Sequence, residues 1–298
     1  MATPANILTA VRYHRHNTSP DTPISTESLQ SFVESAKLYS HRVVIGIDAS
    51  DILLLAHVES TFPHAHILKP QETVADLPQP TSNITSNDGR VLILPIQPYW
   101  KFTVALNSLL ATALRLSYSY ILYASTETRI RPAEVATLSS FFTPDDTTLV
   151  AGKALAPHSF THDPSGERIR IPLTGLTSPW NTFALWSVQK LSATGFLMIS
   201  DANTTAGRSA IEEVPTIAIH QMLRPDKARA YLIKTDEAGG WETEFEDPKR
   251  KEWQRAKLES KNASAESHLR MVGLDETKAW VWHVDAMNVR VADAEGTE

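Results

Sequence analysis

The segment most informative about the fold is Tyr118-Ser-Tyr-Ile-Leu-Tyr-Ala-Ser125-Thr-Glu127-Thr-Arg-Ile-Arg-Pro132. It opens with an apolar, aromatic run of the kind that forms a buried strand. A polar turn follows directly, and Pro132 then stands where proline favours the first turn of a helix. The segment therefore predicts a strand, a turn and a helix, with Ser125 and Glu127 at the carboxyl end of the strand.

Strands and helices alternate around this segment in the first half of the chain. Predicted strands cover residues 7–13, 42–48 and 91–95, and a predicted helix covers residues 103–115. This alternation predicts an α/β fold with a Rossmann-like, mostly parallel central sheet and helices on both faces. Ligands of such sheets bind beyond the carboxyl ends of the strands, where Asp48, Ser125 and Glu127 are expected.

The second half is less regular. Its patterns predict, in order, a strand, a polar hairpin or flap, a helix, a strand and a helix at residues 148–155, 158–171, 179–193, 196–200 and 214–223. After residue 235 charged residues dominate, and we predict a solvated helix over 249–261 and a short final strand over 280–284.

Composition excludes several classes of function. The chain has 298 residues, no cysteine and a formal net charge of -6. Disulfides and cysteine nucleophiles are therefore excluded, and the net charge disfavours binding to nucleic acid or anionic lipid. No apolar run approaches the roughly 20 residues of a membrane helix, and the first residues lack a signal-peptide pattern. We expect a soluble, cytoplasmic protein whose contact with any membrane is peripheral.

The central segment, with Asn107 before it, resembles the core of family 2 glycosyltransferases of the GT-A fold. In that family a helix bearing an asparagine leads to a strand that ends in Asp-x-Asp, followed by a turn, a proline and a helix. The later residues Pro179-Trp-Asn-Thr, Glu212-Glu213-Val and His220-Gln221 resemble the acceptor-binding half. The resemblance implies inverting transfer of a sugar from a nucleotide-diphosphate donor to a hydroxyl acceptor.

The resemblance also divides the chain. It covers residues 6–235, so we predict a GT-A-like domain over 1–235 and a C-terminal extension over 236–298. Within the domain, residues 1–145 are the expected nucleotide-binding half and residues 146–235 the expected acceptor half.

The Asp-x-Asp position of the family is Ser125-Thr126-Glu127 in this chain. Donor diphosphates are usually stabilised by a divalent cation with hard oxygen ligands. The resemblance therefore makes Ser125 and Glu127 candidate ligands of the donor and of Mn²⁺ or Mg²⁺, although a hydroxyl in place of a carboxylate weakens such a site. The alternative is a capped turn in which Ser125 and Thr126 bond to backbone amides.

Further donor contacts follow from the resemblance. Asp48 aligns with an aspartate that binds the base or ribose, although it could instead cap the helix after it. His14 and Asn17 lie where the family carries residues near the nucleotide, and Asn107 is expected to line the same cleft. His14 and His16 share one strand face and are able to bind a metal, but no third ligand is evident.

The catalytic candidates are Glu212 and Glu213, which precede a predicted helix. The resemblance implies that one of them is the general base, and we prefer Glu213. The alternative is that both complement the helix dipole. Trp180, after a proline, is a candidate platform for the sugar, whereas Trp186 is expected in the core.

Two other functions compete. The first is a non-catalytic GT-A-fold protein that binds a nucleotide or a partner, which the serine at position 125 favours. The second is a nucleotidyltransferase, which normally carries a glycine-rich, basic loop after its first strand. Residues 13–23 contain no glycine, which disfavours both this function and a dinucleotide-binding dehydrogenase.

Overall fold

The computed structural model describes residues 6–15, 24–78, 89–99, 101–201, 211–235, 252, 255–256, 258–274 and 278–287. The predicted candidates Asn17 and His16 therefore lie outside the described residues. Within the described part, none of the helices has both the length and the hydrophobicity needed to cross a bilayer.

The described strands form one ten-stranded sheet in the order β3-β4-β2-β1-β5-β8-β6-β9-β10-β7. They are β1 Ile7–Tyr13, β2 Arg42–Asp48, β3 His66–Ile67, β4 Val91–Ile96, β5 Tyr120–Ala124, β6 Thr148–Lys153, β7 Ile169–Pro172, β8 Phe183–Ser187, β9 Arg229–Lys234 and β10 Trp280–Asp285.

Most strand pairings in this sheet are parallel. The exceptions are β8, which is antiparallel to both β5 and β6, and β7, which is antiparallel to β10. The carboxyl ends of β1, β2, β4, β5, β6, β9 and β10 consequently lie along one edge, together with the amino end of β8. We call this edge the carboxyl edge.

Helices cover both faces of the sheet, which confirms the predicted α/β fold. They are α1 Glu27–Ala36, α2 Ile52–Thr61, α3 Phe102–Arg115, α4 Pro132–Ser139, α5 Val188–Leu191, α6 Glu213–Leu223 and α7 Lys261–Met271. Successive side chains of a strand point to opposite faces. Ile7 of β1 accordingly joins the core beneath α1 and α4, and Leu8 joins the core beneath α3 and α6.

Two predicted elements in the second half are wrong. Residues 179–193 do not form one helix, because they contain a loop, the strand β8 and the short helix α5. All five residues of β8 are buried between β5 and β6, and periodicity alone does not separate a short buried strand from a buried helix. Residues 196–200 form no strand either, and a 3-10 helix occupies Met198–Asp201 instead.

The C-terminal extension completes the fold of the described chain. β10 lies between β9 and β7, and α7 packs on α6. Gly175 marks how closely α7 approaches, since a Cβ there would lie 2.3 Å from the backbone oxygen of Lys261. Lys261 itself was predicted on a solvated helix, but it is only 6% exposed.

Candidate functional site

Asp48, Ser125 and Glu127 all lie at the carboxyl edge. Asp48 is the last residue of β2, and Ser125 follows β5 directly. β1 separates these two strands, so Asp48 and Ser125 are two strand spacings apart, about 10 Å. The structure thus brings the predicted donor-binding groups to one side of the sheet.

Asp48 does not cap the helix that follows it. The cap of α2 is Asp51, whose Oδ1 accepts a hydrogen bond of 3.0 Å from the Leu54 amide. Asp48 Oδ1 instead accepts hydrogen bonds from the Ser50 amide and hydroxyl, at 2.9 and 2.6 Å. The capping alternative for Asp48 is therefore wrong, and its carboxylate stays partly exposed at the strand end.

The turn after β5 is held by its own hydrogen bonds. The Ser125 hydroxyl accepts from the Glu127 amide at 3.3 Å, and the Thr128 amide donates to the Ser125 carbonyl at 3.0 Å. The Ser125 amide donates to the Thr182 carbonyl at 3.1 Å, which ties the turn to the start of β8. Ser125 thus has the turn-capping role of the alternative interpretation.

These residues do not fit a tightly bound Mn²⁺ or Mg²⁺. Hard cations prefer several oxygen ligands, usually including more than one carboxylate. Glu127 is the turn's single carboxylate, the Ser125 hydroxyl is engaged, and Asp48 lies two strands away. Across the described ranges, no three His, Asp or Glu residues are grouped so that they could hold a metal ion. We therefore derive no catalytic step through a cation.

Glu212 and Glu213 form a buried carboxylate pair near the same turn. They are 2% and 4% exposed, and Glu213 is the first residue of α6. Asn181 joins them, since its amide donates to Glu213 Oε1 at 2.6 Å and its Nδ2 donates to Glu212 Oε1 at 2.8 Å. Thr182, the next residue, accepts the hydrogen bond from Ser125. A short chain of contacts therefore links the carboxylate pair to the carboxyl edge.

The pKa of Glu212 is strongly raised by its surroundings. Burial, followed by the charge of Glu213, raises the pKa of Glu212 to about 8, against lowering contributions from Asn181 and Lys261. Burial and the neighbouring carboxyl group therefore favour the neutral form of Glu212 at neutral pH, because two like charges this close disfavour ionisation of both groups. Two carboxyl groups held in different protonation states are a common basis for acid–base chemistry.

The raised pKa of Glu212 predicts a pH-dependent stability. Between about pH 4.5, its ordinary pKa, and about pH 8, the folded chain keeps a proton that the unfolded chain releases. The contribution of this group to the free energy of unfolding is therefore fully present below about pH 4.5. It falls by about 1.4 kcal/mol per pH unit between about pH 4.5 and about pH 8, and it is lost above that. Urea titrations of the wild type and Glu212→Gln across this range should show a shallower fall for the variant. Parallel pH profiles would contradict the assignment.

Trp180 is not a sugar platform. Its ring is 2% exposed, stacks on His158 at a centroid distance of 3.7 Å, and lies 3.8 Å from Lys261 Nζ. Its Nε1 donates to the Gly175 carbonyl at 2.8 Å. A platform needs an open ring face, and this ring has none. Trp186 is fully buried, as predicted.

Asn107 lies within α3 and contacts the loop after α5. Its side chain forms a two-way clamp on Phe196, accepting from the amide at 2.8 Å and donating to the carbonyl at 2.9 Å. The clamp fits because Gly195, with φ +64°, leaves room where a Cβ would lie 2.9 Å from Asn107 Oδ1. Asn107 therefore fixes the loop after α5 against α3, with both its Nδ2 and its Oδ1 bonded to Phe196. The prediction that it lines the cleft is not supported.

A buried ion pair that the sequence did not predict lies beside the turn. Glu134 of α4, 2% exposed, is paired with Lys153 at the end of β6, 4% exposed, and Arg131 lies 3.3 Å from the same carboxylate oxygen. Burial alone would raise the pKa of Glu134, but hydrogen bonds from Lys153 and Arg131 lower it. Glu134 follows the turn by seven residues, and its partner Lys153 is distant in sequence, so no local pattern indicated the pair.

Comparison with known proteins finds no matching family model and no matching curated protein. Solved structures with a related arrangement include S. aureus TarS 1-349, at 14% identity and TM-score 0.38 over 71% of this chain and 54% of that one. The mannosyltransferase PcManGT from Pyrobaculum calidifontis, in complex with GDP-Man and Mn²⁺, has 12% identity and TM-score 0.46 over 91% and 77% of the two chains. A 4-diphosphocytidyl-2C-methyl-D-erythritol synthase has 11% identity and TM-score 0.43 over 87% and 100%.

The match therefore spans about half of the TarS chain. At these identities and scores, the likenesses assign neither a family nor an activity to this chain. What the structure itself defines is the class of fold, an α/β protein with a mostly parallel sheet and polar groups gathered at its carboxyl edge.

Proposed function

We propose that the chain is a glycosyltransferase that moves a sugar from a nucleotide-diphosphate donor to a hydroxyl acceptor, with inversion. One observation carries the proposal: the carboxylate pair Glu212–Glu213 is joined through Asn181 and Thr182 to the turn that bears Ser125. Polar groups suited to a donor and a group suited to proton transfer therefore lie close together. The resemblance of the sequence to family 2 glycosyltransferases supplies the reaction class.

The proposed mechanism uses this chain's own groups. Asp48 accepts a hydrogen bond from the base or ribose of the donor at the carboxyl edge. Glu213 removes the proton of the acceptor hydroxyl. The acceptor oxygen forms a bond to the anomeric carbon while the bond from that carbon to the diphosphate oxygen breaks. The nucleoside diphosphate leaves with the electron pair, and the configuration is inverted.

The direct test is turnover of nucleotide-sugar donors. The purified chain is incubated with UDP-, GDP-, CDP- and TDP-linked sugars, with and without Mn²⁺, and release of the nucleoside diphosphate is measured. We expect release from at least one donor, and thermal stabilisation of the chain by the same nucleotide through mass action. Failure of every donor to bind or turn over would overturn the proposal.

A non-catalytic nucleotide-binding protein is the second candidate, and the burial of the carboxylate pair favours it. Both Glu212 and Glu213 are almost inaccessible, and each has one oxygen bonded to Asn181. Such a pair could serve only to hold α6 against the start of β8. This candidate predicts stabilisation by a nucleoside diphosphate without turnover of any donor, so the same experiment separates the two functions.

A further inference from the structure

Arg12 is a cation at the carboxyl edge that the mechanism above does not use. We propose that its guanidinium binds the diphosphate of the donor, in the place for which the sequence predicted a metal ion. The inference rests on the proposed function and deepens it by naming the group that neutralises the leaving diphosphate. Three separate observations on Arg12 support the inference: its place on β1, its contacts with two aromatic rings, and the lack of a counter-ion among the described residues.

The placement of Arg12 follows from strand register. Arg12 is the penultimate residue of β1, directly opposite Gly46 of β2. On its other side β1 pairs with β5, with Ala10 opposite Tyr123, so Arg12 is level with Ser125 two residues further on. Because β1 lies between β2 and β5, Arg12 stands between Asp48 and Ser125 at the centre of the edge.

Two aromatic rings hold the guanidinium. Its central carbon lies 4.9 Å from the ring centroid of Tyr99 and 4.9 Å from that of Phe102. Tyr99 is itself fixed, because it is 6% exposed and its hydroxyl donates to the Tyr13 carbonyl at 3.2 Å. Aromatic contacts of this kind restrain the planar group without using its N–H donors.

Arg12 has no counter-ion within the described part of the chain. Its side chain forms no ion pair or hydrogen bond there, and its Nε is buried without a partner. Neighbouring cations differ, since Arg15 lies 2.9 Å from Asp51 and Lys101 donates to the Asp201 carbonyl at 2.5 Å. A buried, unsatisfied charged donor is costly, so a ligand with strong acceptors is favoured at this position.

A diphosphate has the matching chemistry. Its oxygens accept paired hydrogen bonds from the planar fork of a guanidinium, which also offsets their negative charge. Neutralisation by arginine needs no carboxylate ligands. An arginine at this position therefore suits a turn with one carboxylate, Glu127, and a Ser125 hydroxyl that accepts from the backbone.

The test is calorimetric titration of the full chain with nucleoside diphosphates and with inorganic pyrophosphate, in EDTA. We expect Arg12→Met to weaken binding roughly ten- to a hundredfold, the range for hydrogen bonds to a charged group. Arg12→Lys keeps the charge without the fork and should fall between Arg12→Met and the wild type. Circular dichroism and melting temperature establish that each variant is folded.

A matched control is Arg168→Met. The Arg168 guanidinium also lies over two rings, at 5.6 Å from Phe141 and 5.8 Å from Tyr231. It lies over Tyr231 of β9, a strand four spacings or about 19 Å across the sheet from β1. Its loss should leave the affinity for nucleotide and pyrophosphate unchanged.

The outcomes separate the two proposals. Nucleotide binding that is equal in Arg12→Met and wild type, or that requires Mn²⁺, overturns the role of Arg12 and leaves the glycosyltransferase proposal standing. Pyrophosphate binding that depends on Arg12, without binding of any nucleoside diphosphate, supports the anion site and overturns the donor function. A wild type that binds neither probe overturns both.

Discussion

Replacing Glu213 by glutamine is expected to slow sugar transfer at least about a hundredfold, the lower end of the contribution of a general base. Glutamine keeps the volume of the side chain and an oxygen that can accept from the Asn181 amide, now at 2.6 Å. It loses the ability to take a proton from the acceptor. The initial rate of nucleoside diphosphate release should therefore fall, whereas the dissociation constant of the donor should stay unchanged.

Glu212→Gln is the matched control for this experiment. Because burial and Glu213 hold the pKa of Glu212 at about 8, this side chain is already neutral at pH 7. The variant should keep most of the wild-type rate at that pH. If Glu213→Gln turns over donor as fast as the wild type and shows only a lower melting temperature, Glu213 has a structural role at the start of α6. Equal large losses in both variants would instead assign the reaction to the pair as a unit.

The largest effect on stability is expected from Lys153→Met. This variant leaves the carboxylate of Glu134 buried without its lysine, and breaking a buried ion pair in this way costs about 3–5 kcal/mol. Arg131 compensates only in part, because its side chain is 37% exposed and lies at 3.3 Å. The free energy of unfolding from urea titration measures the loss.

Two further variants are controls for Lys153→Met. Arg255→Gln removes a partner of Glu252 from a pair in which both side chains are 65% exposed, and it should change stability by less than about 1 kcal/mol. The double variant Lys153→Met, Glu134→Leu removes both buried charges and should recover much of the loss. A single Lys153→Met variant as stable as Arg255→Gln would show that the buried pair does not support the fold.

The first half of the fold could be predicted from the sequence because each element has a clear local signal. The predicted strands 7–13 and 42–48 match β1 and β2 at both ends, since polar residues flank short apolar runs. β8 could not be predicted in the same way. Its five buried residues run directly into α5, and no glycine or proline marks the end of the strand.

The residues of the candidate site were predictable only where their place in the fold follows from a neighbouring strand in the sequence. Asp48 and Ser125 follow strands, so their place at the carboxyl edge follows from the parallel pattern. Asn181 is different, because it bonds to Glu212, which lies 31 residues further along the chain. This contact depends on the position of β8 between β5 and β6, which the sequence did not predict. Arg12 was not predicted as a site residue. It is distinguished by having no ion-pair or hydrogen-bond partner among the described residues, and a sequence pattern does not show which side chains lack partners.

The position of β10 has a consequence for how the chain is made. Among the described strands, β7 pairs only with β10, and more than a hundred residues of chain separate the two. On a ribosome that adds about 5–20 residues per second, β7 remains unpaired for roughly 5–20 seconds after its synthesis, and the outer side of β9 for roughly 2–9 seconds. Exposed strand edges are sites of wrongful pairing between molecules. Nascent chains of this protein are therefore expected to depend on chaperones until β10 is released.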